Sequence, residues 1–278
     1  MNAGKLKYDG IEIPEQLGGA IDAGIRRAEK QRRSGAFRRT VAGAAAAAAV
    51  LFAGANIMPV YSYAADIPVL GEIVRVLHIG SGGEITDGAH AAAENVDGEV
   101  VITFSGSEAA PAYSVKWFLA PNRLVLNIHG VRGADFDAIS SSLLGSGAVL
   151  DVYRNMYLDD SALSITVVMK DGYDCAVSEY ASPGALTLDF TDRGSSGGTV
   201  YYLRSEAMPY GEQLGALCEE YHAEDASQVK TASGDYFVAI GSYESESEAE
   251  AALNKLNAEH GDSGFYVASG EAGEIPEV

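Results

Sequence analysis

From Thr40 to Ala65 the chain runs for 26 residues without a charged side chain, and Arg32, Arg33, Arg38 and Arg39 stand on its N-terminal side. About 20 such residues cross ~30 Å of hydrocarbon as a helix, so this run decides where the rest of the chain can lie. Its centre is the alanine stretch Ala44–Ala49, followed by Val50, Leu51 and Phe52. Alanine is only weakly apolar, and three readings compete: a signal-anchor helix, a cleaved signal peptide, and an alanine-rich helix in a soluble core. Ser62-Tyr63-Ala64 has the small-x-small form of a cleavage site, but the 39 residues ahead of the run far exceed an ordinary secretory n-region. The expectation is a transmembrane signal anchor over 41–65. Lys and Arg beside a span stay in the cytoplasm, which puts the N-terminus inside and everything after Ala65 outside the cell membrane.

Charge divides the chain at the same place. Residues 1–40 hold nine Lys+Arg against five Asp+Glu, whereas the remainder holds ten against 34. A net charge of −20 argues against nucleic acid as a partner, because a phosphate backbone needs a basic surface. With 278 residues there is room for two or three small domains, and 47% hydrophobic content rules out a wholly disordered chain.

The basic tail, 1–40, carries a helical pattern. Pro14 suits a first helical position and Glu15 adds favourable charge there, while Leu17, Ile21 and Ile25 recur every fourth residue. Two readings stay open for this amphipathic helix: it rests on anionic lipid, or Leu17, Ile21 and Ile25 dock a cytoplasmic partner. Ile13-Pro14-Glu15-x-Leu17, the basic stretch, the alanine-rich run with Asn56 and Pro59, and Ile67-Pro68-Val69-Leu70-Gly71 resemble a family of single-pass proteins of monoderm bacteria. Members often stand beside extracytoplasmic-function sigma factors, so the resemblance implies a tail that holds a sigma factor. The zinc-binding His/Cys signature of the better-known anti-sigma domain is not in this sequence.

Residues 66–97, with Ser81-Gly82-Gly83-Glu84, read as a linker off the membrane. From 98 to 192 the pattern is β. Val100–Phe104, Tyr113–Leu119, Leu124–Ile128, Ser164–Met169 and Ala185–Phe190 are short β-branched and aromatic runs, separated by turn signals such as Pro121-Asn122 and Asp171-Gly172. Many short strands with little helix predict an all-β sandwich. Tyr113-Ser-Val, the run Pro121–Val131, and the later strands Ala162–Asp174 and Leu186–Phe190 resemble an AMIN domain, which implies envelope targeting.

From Gly198 to Gly270 the period changes. Thr199–Arg204, Tyr236–Ile240 and Phe265–Ala268 read as strands, Pro209–His222 and Ser245–Glu259 as helices. Ser245-x-x-Glu248 is a capping box, and Ala249, Ala252, Leu253 and Leu256 form the apolar stripe of the second helix. Two β-α-β halves in about 70 residues predict an α+β ferredoxin-like layer, giving a multi-domain chain overall. Tyr236-Phe-Val-Ala-Ile-Gly241-Ser242-Tyr243, then Ala249, Leu253, Leu256 and Tyr266-Val267, closely resemble a SPOR domain. Members of that family bind peptidoglycan glycan strands, favouring those stripped of stem peptides. In the first half Arg204-Ser205 stands where the first family hallmark is expected.

The resemblance implies a sheet with one face under two helices and one face free. It puts Tyr236, Val238 and Ile240 toward the helices, with Tyr201 and Leu203, and leaves Tyr202, Arg204, Phe237 and Ala239 outward as the glycan-binding set. The alternative is that these four belong to a packing interface with the sandwich. His78, His90, His129, His222 and His260 form no metal-binding pair, and no nucleophile elbow, P-loop or dinucleotide fingerprint occurs, so neither catalysis, metal nor cofactor is expected. Cys175 and Cys218 fall in different domains among apolar neighbours and read as unpaired core residues. The reading is a membrane-anchored envelope protein that binds peptidoglycan without catalysis; the rival is a transmembrane anti-sigma regulator.

Overall fold

The computed structural model describes residues 61–63, 75–79, 88–107, 109–157, 162–181, 184–195 and 197–277. The tail with Leu17, Ile21 and Ile25 lies outside the described residues, as does the charge-free run up to residue 60. Among the described residues no helix is long and apolar enough to cross a membrane.

The first body contains strands β1 (Tyr61–Tyr63), β2 (Arg75–Ile79), β3 (Ala89–Val96), β4 (Glu99–Ser105), β5 (Tyr113–Leu119), β6 (Asn122–His129) and β7 (Val131–Ala134), then helix α1 (Phe136–Leu144). Strands β8 (Val149–Arg154), β9 (Ala162–Met169), β10 (Tyr173–Ala181) and β11 (Gly184–Asp192) complete it. They form a six-stranded sheet, β1-β10-β11-β4-β3-β7, and a five-stranded sheet, β2-β5-β6-β9-β8. Among the described residues only β3 and β7 pair in parallel. Leu124, Leu126 and Ile128 of β6 and Leu163, Ile165 and Val167 of β9 face Ile102, Val177 and Leu186 of the other sheet in one buried cluster. Alternation along each strand is what lets a sheet bury one face against another. The expected sandwich is therefore present.

Three local features depart from the expectation. The stretch read as a linker contains β2 and β3, and β3 turns Ala89, Ala91 and Ala93 into the core at every second residue. Alanine has little β preference, so this strand is made by the packing of its neighbours. Tyr61–Tyr63, at the end of the expected span, instead pairs with β10. Helix α1 was not expected in a Ser-rich segment. Asp135 caps it by accepting from the Ala138 amide, and Ile139 and Leu143 are fully buried beneath it.

The second body has β12 (Thr199–Arg204), α2 (Glu212–Glu220), β13 (Ser227–Lys230), β14 (Tyr236–Tyr243), α3 (Glu246–His260) and β15 (Tyr266–Glu271). Its sheet order is β13-β14-β12-β15, with every pair antiparallel, which is the split β-α-β ferredoxin-like arrangement expected. The capping box forms: Ser245 Oγ accepts from the Glu248 amide, and Glu248 Oε2 accepts from the Glu244 amide. Between β12 and β14 the register shifts as Tyr201 pairs Tyr243 and Leu203 pairs Ile240, with Gly241 at φ +71° in the bulge. The Tyr243 ring lies where a Cβ on Gly241 would go, so that position needs glycine. Strand β13 escaped the sequence reading because Ser227-Gln-Val-Lys230 has a single apolar residue and no alternation to detect.

Candidate functional site

The orientation of the second sheet follows the expectation. Tyr236, Val238, Ile240 and Leu203 pack with Leu214 of α2 and Ala249 and Leu256 of α3. Phe237, Ala239 and Tyr202 take the opposite face. There the Tyr202 ring stacks on Phe237 with centroids 6.1 Å apart and planes 6° from parallel, and the Arg204 guanidinium sits 3.9 Å from the Phe237 ring centroid.

The exposure of this face does not follow the expectation. Phe237, Ala239, Tyr202 and Arg204 retain 0%, 2%, 3% and 6% of their accessible surface. A free face would leave the rings open to a sugar, so these four side chains are built into a contact. Two things cover them. The first is the tip of the β5–β6 hairpin, where Ala120 joins the Phe237, Tyr202 and Val229 cluster. The second is the chain after β15. The Asn122 amide donates to the Ala272 carbonyl at 2.8 Å, and the Ala232 amide donates to the Pro276 carbonyl at 2.9 Å. Ala232 lies in the β13–β14 turn at one edge of the sheet and β15 is the other edge, so residues 272–276 run from edge to edge as a strap. A hollow beside Tyr202 and Arg204 is lined by Pro121, Gly270, Glu274 and Pro276.

Arg123 locks the hairpin to the second body. Its Nη1 donates to the Ala120 and Pro121 carbonyls at 2.9 and 3.2 Å, and its Nη2 donates to Ser227 Oγ at 2.7 Å. Burial lowers the guanidinium to about 10, against the opposing pull of Tyr153 and Tyr202, so it stays charged at neutral pH. Around it the interface is dense. Gln228 is held twice by the Met156 backbone, donating to its carbonyl and accepting from its amide at 2.7 Å each. Tyr153 donates to the Gln228 carbonyl at 3.2 Å, and the pairs Lys116–Asp225 and Lys230–Asp151 close at 2.8 and 2.9 Å. Tyr153 and Val168 of the sandwich belong to the same buried cluster as Leu203, Leu214 and Tyr236. Shared core, buried charge and paired backbone join the two bodies through one packed interface.

The two cysteines sit among apolar neighbours. Cys175 is buried in the sandwich core and Cys218 is half-buried on α2, and both are free thiols. Burial raises the Cys175 thiol well above its usual value, with Asp174 and Asp189 adding to it, and pushes Cys218 up to about 11. Burial thus favours the protonated thiol at both positions. Glu224, Glu259 and His260 bring three ligand atoms within 4.8 Å of one another near the surface, where His260 Nε2 already meets Glu224 Oε1 at 2.8 Å.

Sequence reasoning could see which residues share a face but not what lies over it, because the cover comes from Ala120-Pro121 and from the extreme C-terminus. No curated protein and no solved structure matches the chain. The family model of the SPOR domain matches residues 197–268, from just before β12 into the first half of β15. Residues 197–268 are thus a SPOR domain, which implies peptidoglycan binding in the cell envelope.

Proposed function

We propose that the chain is a membrane-anchored envelope protein that holds peptidoglycan glycan strands outside the cell. The observation that carries this is the SPOR match over 197–268 on a sheet of the expected order. Anchoring rests on the sequence: with Tyr61–Tyr63 in a strand, residues 40–60 still supply about the 20 uncharged residues that a span needs, behind a basic flank. The sandwich shares a buried cluster with the SPOR domain, and we read it as the AMIN-like partner in that envelope role.

The net charge of the extracytoplasmic part is strongly negative, and wall polymers are themselves anionic, so bulk attraction cannot drive binding. Local hydrogen bonds and ring contacts must supply it, and binding should therefore change little with salt. The full chain in detergent should co-sediment with purified sacculi, more so after stem peptides are removed; a folded chain left wholly in the supernatant contradicts the proposal. The Leu17, Ile21 and Ile25 stripe supports a second role, a cytoplasmic contact with a sigma factor. A pull-down with residues 1–40 that recovers no specific partner would dismiss it.

A further inference from the structure

The helix-free face of the SPOR sheet is covered but not sealed. On β15, Tyr266 pairs in register with Arg204 and Ala268 with Tyr202, so Tyr266 continues this face toward the edge of the sheet. Tyr266 is 37% exposed, with the Arg204 guanidinium 5.6 Å from its ring centroid. Farther along, a hollow of about 530 Å³ lies beside Tyr202 and Arg204, and Glu274, Ile275 and Pro276 of the strap supply part of its lining.

The strap is lightly fastened. Backbone hydrogen bonds to Asn122 and Ala232 hold its two ends, and the Glu274 amide donates to the Glu271 carbonyl at 3.3 Å. Ala272, Gly273, Ile275 and Pro276 are half-buried, and none of them belongs to the apolar clusters of the two bodies. Fixing the backbone of one residue costs about as much as one hydrogen bond returns, so a segment with so few contacts stays near the balance between held and released. Its charge matters as much as its position. Arg204 is the one cation among the described residues that line the hollow, and Glu271, Glu274 and Glu277 line it too. Three carboxylates beside one guanidinium oppose the approach of an anionic wall polymer to Arg204. Such a ligand reaches Arg204 and Tyr202 fully only when the strap has moved aside.

We propose that residues 272–276 are an autoinhibitory strap, which lies across the helix-free face in the free protein and is displaced when a glycan strand settles beside Tyr266, Arg204 and Tyr202. This regulation rests on the peptidoglycan reading above, and the experiments separate the two. Both use the full chain in detergent and soluble glycan strands freed of stem peptides. A strap closed about ten parts to one reduces the apparent affinity by the same factor, so deletion of residues 272–278 should tighten binding about tenfold. Equal or weaker binding by the deletion variant, shown folded by circular dichroism, beside a wild-type chain that binds, overturns the strap and leaves the peptidoglycan reading standing. Two folded chains that both fail to bind overturn both. The second experiment needs no variant: amide hydrogen exchange of the wild-type chain with and without glycan. The Ala232 amide, which donates to Pro276, should exchange faster in the complex, the reverse of the protection that a bound ligand ordinarily gives. Slowed or unchanged exchange at Ala232 under saturating glycan overturns the strap, even where the deletion variant fails to fold.

Discussion

Two sheet surfaces meet the space between the bodies, and they have opposite characters. The helix-free face of the SPOR sheet is aromatic and cationic, with Tyr202, Phe237 and Arg204, and has almost no contact with water. The outer face of the five-stranded sheet carries the plain side chains Ser114, Asn127 and Ser164, which line a hollow of about 450 Å³. Residue type alone would choose the first as a binding surface. Rings and guanidinium groups serve an intramolecular interface as well as they serve a ligand, so composition cannot tell the two uses apart. What separates them is the accounting of partners: the first face is held by Ala120, Val229, stacked rings and the strap, so a ligand there must displace a part of this chain, whereas Ser and Asn on the second bond to one another.

The sharpest way to break this comparison is Phe237→Ala. A fully buried phenylalanine between Tyr202 and Arg204 should cost about 3–5 kcal/mol, read by chemical denaturation of the full chain. An exposed ring would cost within about 0.5 kcal/mol, and that result would reopen the face. Arg123→Ala should follow at about 2–3 kcal/mol, since it leaves Ser227 and two carbonyls without their donor and opens a void at the hairpin. Both losses should appear in one transition, because Tyr153 and Val168 share a core with Leu203; two separate transitions would mean that the bodies fold apart.

High pH gives a smaller effect with a definite sign. Burial, with Tyr153, Tyr210 and Asp151 nearby, pushes the Tyr236 phenol up to about 12, and burial takes Cys218 to about 11. Both are acids whose neutral form the fold favours. Their contribution is complete below pH 9, and is lost as the unfolded chain ionises first, between about pH 9 and 11 for Cys218 and about pH 10 and 12 for Tyr236. Tyr236→Phe should flatten the fall in stability above pH 10; an unchanged slope would show that its phenol is solvated. Least of all, Lys116→Ala should cost at most about 1 kcal/mol, reduced further by salt, because Asp225 is partly exposed.

How much of this was legible in the sequence depends on how local each signal is. The second helix of the SPOR domain and the strand before it are written in a capping box and a short continuous apolar run, and both are present. Alternation divides Tyr236–Ile240 into two sets, and the SPOR resemblance says which of them faces the helices. Helix α1 has a local signal, Asp135 as cap and Phe136, Ile139 and Leu143 at helical spacing, masked by three serines. Strand β3 had its alternate alanines hidden in what looked like a linker. The cover over the SPOR face had no local signal. It depends on residues 120–121 and 272–276 meeting residues 202–239, and no periodicity reports a contact over such separations. The polar row of the five-stranded sheet is similar, since Ser114, Asn127 and Ser164 become neighbours only through strand register.

Which rings see solvent and which see glycan distinguishes the two faces most directly. Hydroxyl-radical footprinting of the full chain, with and without stem-peptide-free glycan strands, reads both at once. Tyr266 should be oxidised in the free protein and protected by glycan, Tyr157 and Tyr210 should be oxidised to the same extent with and without it, and Tyr202 and Phe237 should stay unmodified in either state. Oxidation of Tyr202 and Phe237 in the free protein, suppressed when glycan is added, would contradict a covered face.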